Sequence, residues 1–167
     1  MKTINTFKKI ITVYFYLMAI CNAILFMVLP ILFLQGKFTK LEYLDNYDIS
    51  DLSFGQFLLM LLVAAFLQYQ YIKAIYFLKN SLTDLSTGNY FSELVIVNFK
   101  KIGKLFLICG VGGWLFKIIL RLAFMSDIKV GVDHTLILLT IIGLFFMFLS
   151  EVFAKARRAE QENKLTI

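Results

Sequence analysis

The chain has 167 residues, of which 60% are hydrophobic and 17% charged, and a mean hydropathy of +0.79. Soluble domains carry roughly a quarter charged residues, so the composition excludes an ordinary soluble domain, and a single Pro with few Ser excludes a low-complexity one. A net charge of +6 would suggest a nucleic-acid partner in a soluble protein, but here the basic residues flank apolar runs and read as a topology signal, with no direct nucleic-acid contact expected.

Met1–Lys9 is short and basic. Ile10–Leu34 follows, 25 residues without a charge, where roughly 20 suffice to cross a bilayer. The run is too long for a signal-peptide core and no A-x-A site follows it, so it reads as a retained span. Pro30 near its far end predicts a kink. Gln35–Ser53 reads as a solvated loop with Tyr43 and Tyr47 at the interface. Its acids Glu42, Asp45, Asp48 and Asp51 lack the regular ligand spacing and turn Gly of a calcium loop.

Phe54–Leu78 is the second span. Gln68, Gln70 and Lys73 fall in its last third with Tyr69, Tyr71 and Tyr76, and Lys73 is near enough to the end to snorkel. Lys79–Lys104 reads as a loop containing a helical turn around Ser81–Leu85, a break at Thr87-Gly88-Asn89 and an interfacial helix over Glu93–Lys101. The third span covers about 104–125, where Gly103, Gly110 and Gly113 allow a neighbouring helix to approach. Lys117 and Arg121 lie one turn apart within it. Ser126–His134 is a short loop in which His134, the only histidine, reads as solvated. The fourth span covers about 135–155 and extends as helix into a tail, 156–167, whose Glu151–Lys155, Arg158–Glu162 and Glu160–Lys164 pairs are at i,i+4.

The N-terminus, second loop and C-terminal tail hold eleven Lys and Arg against three in the other two loops. This asymmetry puts both termini in the cytoplasm. A charge at hydrocarbon depth costs roughly 2.5–3.5 kcal/mol and needs a partner or a route to water. With both termini inside, Lys73 and Glu151 come out at similar depth as a candidate interhelical pair. Lys117 lies deeper, with Asn22 and Gln68 as available polar neighbours, and Arg121 faces the loop acids, Asp127 and Asp133 among them. Asn22, Gln68, Lys117 and Arg121 would outline an outward-opening polar cavity suited to an anion, although snorkelling and internal pairing account for the same residues. Cys21 and Cys109 both lie in apolar runs, which argues for packing, not a disulfide. There is no G-x-S-x-G, H-E-x-x-H, phosphate-binding Gly loop or Cys/His cluster, so neither an enzyme nor a metal or cofactor site is expected.

The closing Glu151-Val-Phe-Ala-Lys155-Ala-Arg-Arg-Ala-Glu160-Gln-Glu-Asn-Lys-Leu165-Thr-Ile is similar to the ending of an uncharacterised bacterial family of small four-span membrane proteins. In that family a span is followed by E-x-F, a charged helical stretch and E-N-x-L-T-I. Gly88-Asn-Tyr-Phe91 resembles its G-x-x-F before the third span, whereas Lys164 stands where an acidic residue is more usual. The resemblance implies a cytoplasmic partner, a helix-turn-helix regulator encoded alongside. Arg157, Arg158, Glu162, Asn163, Leu165 and Ile167 would form the docking surface, unless the tail is only an anchor.

The sequence therefore predicts one all-α integral membrane domain, a four-transmembrane-helix bundle of the bacterial inner membrane with both termini cytoplasmic. The expected function is that of a non-enzymatic sensory or regulatory partner, acting as a monomer or homo-oligomer in the lipid bilayer. An exporter or immunity-type protein handling an amphiphile, and a structural subunit of a membrane complex, are the alternatives.

Overall fold

The structure, a computed structural model, describes residues 2–37, 40–41, 47–48, 52–125, 131 and 134–165. Ile167 and the loop acids Glu42, Asp45, Asp51, Asp127 and Asp133 lie outside the described residues. Long uncharged runs with good helix formers give four helices: α1 Lys2–Leu34, α2 Phe54–Ser86, α3 Glu93–Met125 and α4 His134–Leu165. The α1–α2 connection carries two short antiparallel strands, β1 Lys40–Leu41 and β2 Tyr47–Asp48. At 1.5 Å per residue each helix is about 50 Å long, well over the roughly 30 Å of a hydrocarbon core. All four are long and apolar enough to cross a membrane, and the chain is a multi-pass membrane protein.

Successive helices are antiparallel, so the start of α1, the α2–α3 turn and the end of α4 share one face of the bundle, the terminal face. Lys8 Nζ donates to Ser86 Oγ at 3.5 Å there, and Arg157 meets Glu93 at 3.4 Å. Packing follows chain order: α1 on α2, α2 on α3, α3 on α4. The main core lies between α2 and α3, where Ala74, Ile75, Leu78 and Leu82 meet Val95, Phe99, Ile102 and Phe106. Ile11 and Phe15 of α1 flank it on one side, and Phe146 and Phe153 of α4 on the other. Towards the distal face a second cluster joins Phe57, Met60 and Leu120, with the Phe33 ring stacked on Phe57 at 4.1 Å. Leu17, Met27, Leu62, Ile141 and Phe148 point outward. Such a continuous apolar exterior would aggregate in water and matches lipid instead.

The α2–α3 connection is shorter than the sequence suggests. α2 runs to Ser86 and α3 starts at Glu93, so the predicted interfacial helix is the first part of the third span. Two features cause this. Gly88, at φ +90, makes the reversal, and Ser92 caps α3 by accepting from the Val95 N–H at 3.1 Å while donating to Asp84 at 2.8 Å. Val95, within the predicted interfacial helix, and Ile102 just after it are fully buried against α2. α1 continues through Pro30 to Leu34 as one helix.

Helices in lipid gain nothing from hydrophobic exclusion of water, so their association depends on close backbone approach and interhelical hydrogen bonds. α3 and α4 have both. A Cβ on Gly103 would fall 2.5 Å from the Gly143 carbonyl oxygen and 2.5 Å from Met147 Cγ, and one on Gly143 would fall 2.9 Å from the Gly103 oxygen. The two backbones therefore cross in contact. About two turns towards the terminal face, the Ser150 hydroxyl donates to the Ile96 carbonyl at 2.8 Å. Gly103→Val should separate the pair and cost about 1–3 kcal/mol, as overpacking does, whereas Ser150→Ala should cost about 0.6 kcal/mol, the average for a membrane interhelical hydrogen bond. Unfolding of the purified protein in mixed micelles measures both; equal effects would show that the glycine crossing is not what joins α3 to α4.

Candidate functional site: a cleft between α1 and α4

The axial offset of α4 makes the site. Trp114 Nε1 donates to the Gly131 carbonyl at 3.0 Å, and Gly110 abuts Leu139 and Leu136. His134, the first residue of α4, therefore lies level with the stretch around Gly110–Trp114, and α3 continues to Met125 beyond it. Because α4 packs on α3 and not comparably on α1 or α2, a cleft of about 590 Å³ opens between α1 and α4, with α2 and α3 as its floor.

Its polar groups come from all sides: Tyr14 of α1, Gln68 and Tyr71 of α2, His134 and Thr135 of α4. The Tyr14 and Tyr71 hydroxyls lie 3.1 Å apart. Two hydroxyls own two protons, and one bond between them uses one, so the pair keeps a donor and several lone pairs for something else. Gln68 is one turn from Tyr71 on the same helix face, and among the described residues its amide has no hydrogen-bond partner. Cys109 Sγ also lines the cleft but donates to the Leu67 carbonyl at 3.5 Å. Among the described residues no three His, Cys, Asp or Glu side chains converge as metal ligands would.

Of the four residues predicted to outline a polar cavity, Gln68 lines the cleft and the others do not. Asn22 donates to the Met18 carbonyl of its own helix at 2.8 Å, one turn distal to Met18, which lines the cleft. Lys117 lies one turn distal to Gly113, another lining residue, and Arg121 one turn further. Among the described residues no Lys, Arg, Asp or Glu lines this cleft. The basic pair extends the α4-facing side of α3 past the point where α4 begins. His134, read from the sequence as a loop residue, is a helix terminus lining the cleft.

Lys73 and Glu151 are not brought into an ion pair. Lys73 Nζ lies 5.7 Å from the Tyr69 ring centroid on its own helix. Glu151 shares a pocket of about 280 Å³ with Lys100 of α3. The reason is the packing order: Glu151 belongs to α4, whose neighbour is α3, and α2 is one helix further away.

At the terminal face lies a belt of cations and aromatic rings. Lys79 Nζ sits 4.7 Å from the Phe15 ring, 5.1 Å from Tyr16 and 5.6 Å from Tyr76, and Lys101 Nζ sits 5.0 Å from Phe77. Such cation–ring contacts are worth about 0.5–1 kcal/mol each at exposed sites. Beyond the belt, α4 projects. Arg157 pairs with Glu93, the first residue of α3, and α4 continues for eight residues to Leu165, roughly 12 Å. Arg158, Glu162 and Asn163 of this projection are exposed, whereas Arg157 is half-buried against α3.

Tyr14, Tyr71 and Thr135 carried no signal in the sequence that set them apart. Tyrosines in spans are common at interfaces, and only the packing of α1 on α2 puts these two hydroxyls together. The unmatched polar residue Gln68 in an apolar run was the one mark of the cleft that the sequence displayed.

A family model described as "Protein of unknown function" matches residues 2–167. Comparison with curated proteins and with solved structures finds no match. The family match spans all four helices, the cleft between α1 and α4 and the projecting end of α4, and the chain belongs to the DUF2975 family of proteins of unknown function.

Proposed function

We propose that this protein is a non-enzymatic sensory partner of a cytoplasmic protein, resident in the bacterial inner membrane with both termini in the cytoplasm. The observation that carries the reading is the continuity of α4. A single unbroken helix begins at the cleft with His134, crosses α3 backbone to backbone at Gly143, and ends about 12 Å beyond the first residue of α3. A rigid element with one end in a cavity and the other in water converts occupancy at the first into position at the second, provided it has two arrangements. α4 has the freedom for this because, among the described residues, only α3 packs extensively on it. Its projecting end offers mixed charge on Arg158, Glu160 and Glu162, suited to a protein surface, and a helix-turn-helix regulator is the partner class the C-terminal resemblance implies.

The cytoplasmic assignment of the terminal face rests on its cations. Lys8, Lys9, Lys79, Lys100, Lys101, Lys104, Lys155 and Arg158 gather there, while the described basic residues towards the distal face are Lys37, Lys40, Lys117 and Arg121. Positive residues are retained on the cytoplasmic side during insertion. Reporter fusions at Gly88 and Ile167 should report the cytoplasm, and fusions at Asp48 and Asp127 the outside; a C-terminal fusion reporting the outside reverses the assignment.

An exporter or immunity-type protein handling an amphiphile is the second reading, favoured by the same cleft. The projecting helix discriminates between the two. Deleting Asn163–Ile167 should leave insertion and folding intact, since exposed terminal residues contribute little burial, and should reduce co-purification of the cytoplasmic partner at least tenfold. An exporter would lose nothing by that deletion. Undiminished partner capture by the truncated chain overturns the sensory-partner reading.

A further inference from the structure

We propose that the cleft between α1 and α4 is a binding site for a single neutral amphiphile that enters sideways from the bilayer, its polar end held by Gln68 and the Tyr14–Tyr71 pair. This deepens the sensory reading by naming the ligand class of the same site.

Four observations converge on it. The cleft is large enough, at about 590 Å³, to fall within the range of small-molecule sites. Its polar groups lie inside the uncharged runs but on the terminal side of their middle: Tyr14 is five residues into Ile10–Leu34, and Gln68 and Tyr71 fall in the last third of Phe54–Leu78, so they sit just within the hydrocarbon. Polar groups there must be satisfied by protein, by ligand or by water drawn into the membrane. The Tyr14 and Tyr71 hydroxyls satisfy each other once, leaving one donor, and the Gln68 amide brings both a donor and an acceptor without a partner among the described residues. Together they match a hydroxyl or carbonyl end group that donates and accepts.

The charge of the ligand follows from what is missing among the lining residues. Among the described residues no Lys, Arg, Asp or Glu lines the walls, and His134 stands at one end, so an ionic headgroup beside Gln68 and the tyrosines would forfeit its hydration without a fixed counter-charge. Lys117 and Arg121, which would serve an anion, stand one and two turns distal to the lining residue Gly113. A neutral head is therefore selected.

The route is set by the helices that do not meet. Met18 on α1 and Leu138 on α4 line opposite walls, and Leu138 is 59% exposed. Between them the cleft is open at the depth where acyl chains lie, so an alkyl chain leaves the site directly into the bilayer without crossing water. A water-soluble ligand would have to enter past the distal end of α4, and nothing on the apolar wall formed by Leu67, Leu138 and Leu139 would favour it.

The test uses the full chain in phosphatidylcholine vesicles with a diacylglycerol carrying a photoreactive diazirine in one acyl chain. Labelling should map to the residues around Met18 and Leu138 and should be competed by unlabelled diacylglycerol. Tyr71→Phe and Gln68→Leu should each weaken competition about fivefold, the effect of one lost hydrogen bond. Leu138→Trp, at an exposed position where folding is not at risk, should abolish site labelling by filling the portal. Stronger labelling by a phosphatidylglycerol with the same diazirine chain would overturn the neutral class. Labelling of equal strength in Leu138→Trp would overturn the site, as would a cysteine cross-link between Met18→Cys of one copy and Leu138→Cys of another that formed in place of labelling, because a second copy then covers the cleft. The outcomes also separate ligand from relay. Site labelling without any ligand effect on partner capture ends the relay and leaves the site, whereas tail-dependent capture without labelling does the reverse.

Discussion

The contact on which this bundle depends is the crossing of α3 and α4 at Gly103 and Gly143, where one backbone rests on the carbonyl oxygen of the other. Lipid offers no hydrophobic driving force for helix association, so dispersion at such close approach and the Ser150–Ile96 hydrogen bond must hold α4 in place. Because this contact is to α3 alone, α4 is excluded from the side of the bundle that α1 occupies. The cleft is the direct result. Had α4 found a second glycine face on α1 or α2, the four helices would have closed on each other and the polar residues between them would have been sealed.

The remaining packing fits around that constraint. α2 and α3 share the main apolar core, and α1 is fastened to α2 near both ends: by the rings around Lys79 at the terminal face and by the Phe33–Phe57 stack at the distal one. Just inside the terminal-face rings, the bond between Tyr14 and Tyr71 is a second polar link between the two helices, after Lys8–Ser86. Its position within the cleft means that the same groups that join α1 to α2 are the ones available to a bound molecule.

The four spans were legible in the sequence because crossing a bilayer demands uncharged runs of a minimum length, and Ile10–Leu34 or Thr135–Ser150 could satisfy nothing else. The break at Thr87-Gly88-Asn89 was legible for a similar reason: Gly88 takes a positive φ that other residues avoid. The extent of α3 was not, because Lys100, Lys101 and Lys104 lower local hydropathy while their long stems leave the opposite face, with Val95, Phe99 and Ile102, free to pack. Depth could be inferred for single residues, which is why Lys73 and Glu151 looked like partners, but the order in which helices neighbour each other is not encoded in hydropathy. Gly143 illustrates the point. One glycine in a run of leucines and phenylalanines is unremarked until Gly103 is found against it.

The offset of α4 also bears on the membrane around the protein. From His134 to Ser150 its uncharged stretch is 17 residues, roughly 25 Å of helix, whereas Ile10–Leu34 of α1 is 25 residues, roughly 38 Å. A bilayer of about 30 Å matches neither. It must thin beside α4 and either thicken beside α1 or let that helix tilt, at a cost of fractions of a kcal/mol per ångström. The two flanks of this protein therefore favour lipids of different length, and a bilayer of uniform thickness holds the molecule under a lateral imbalance that falls across the mouth of the cleft.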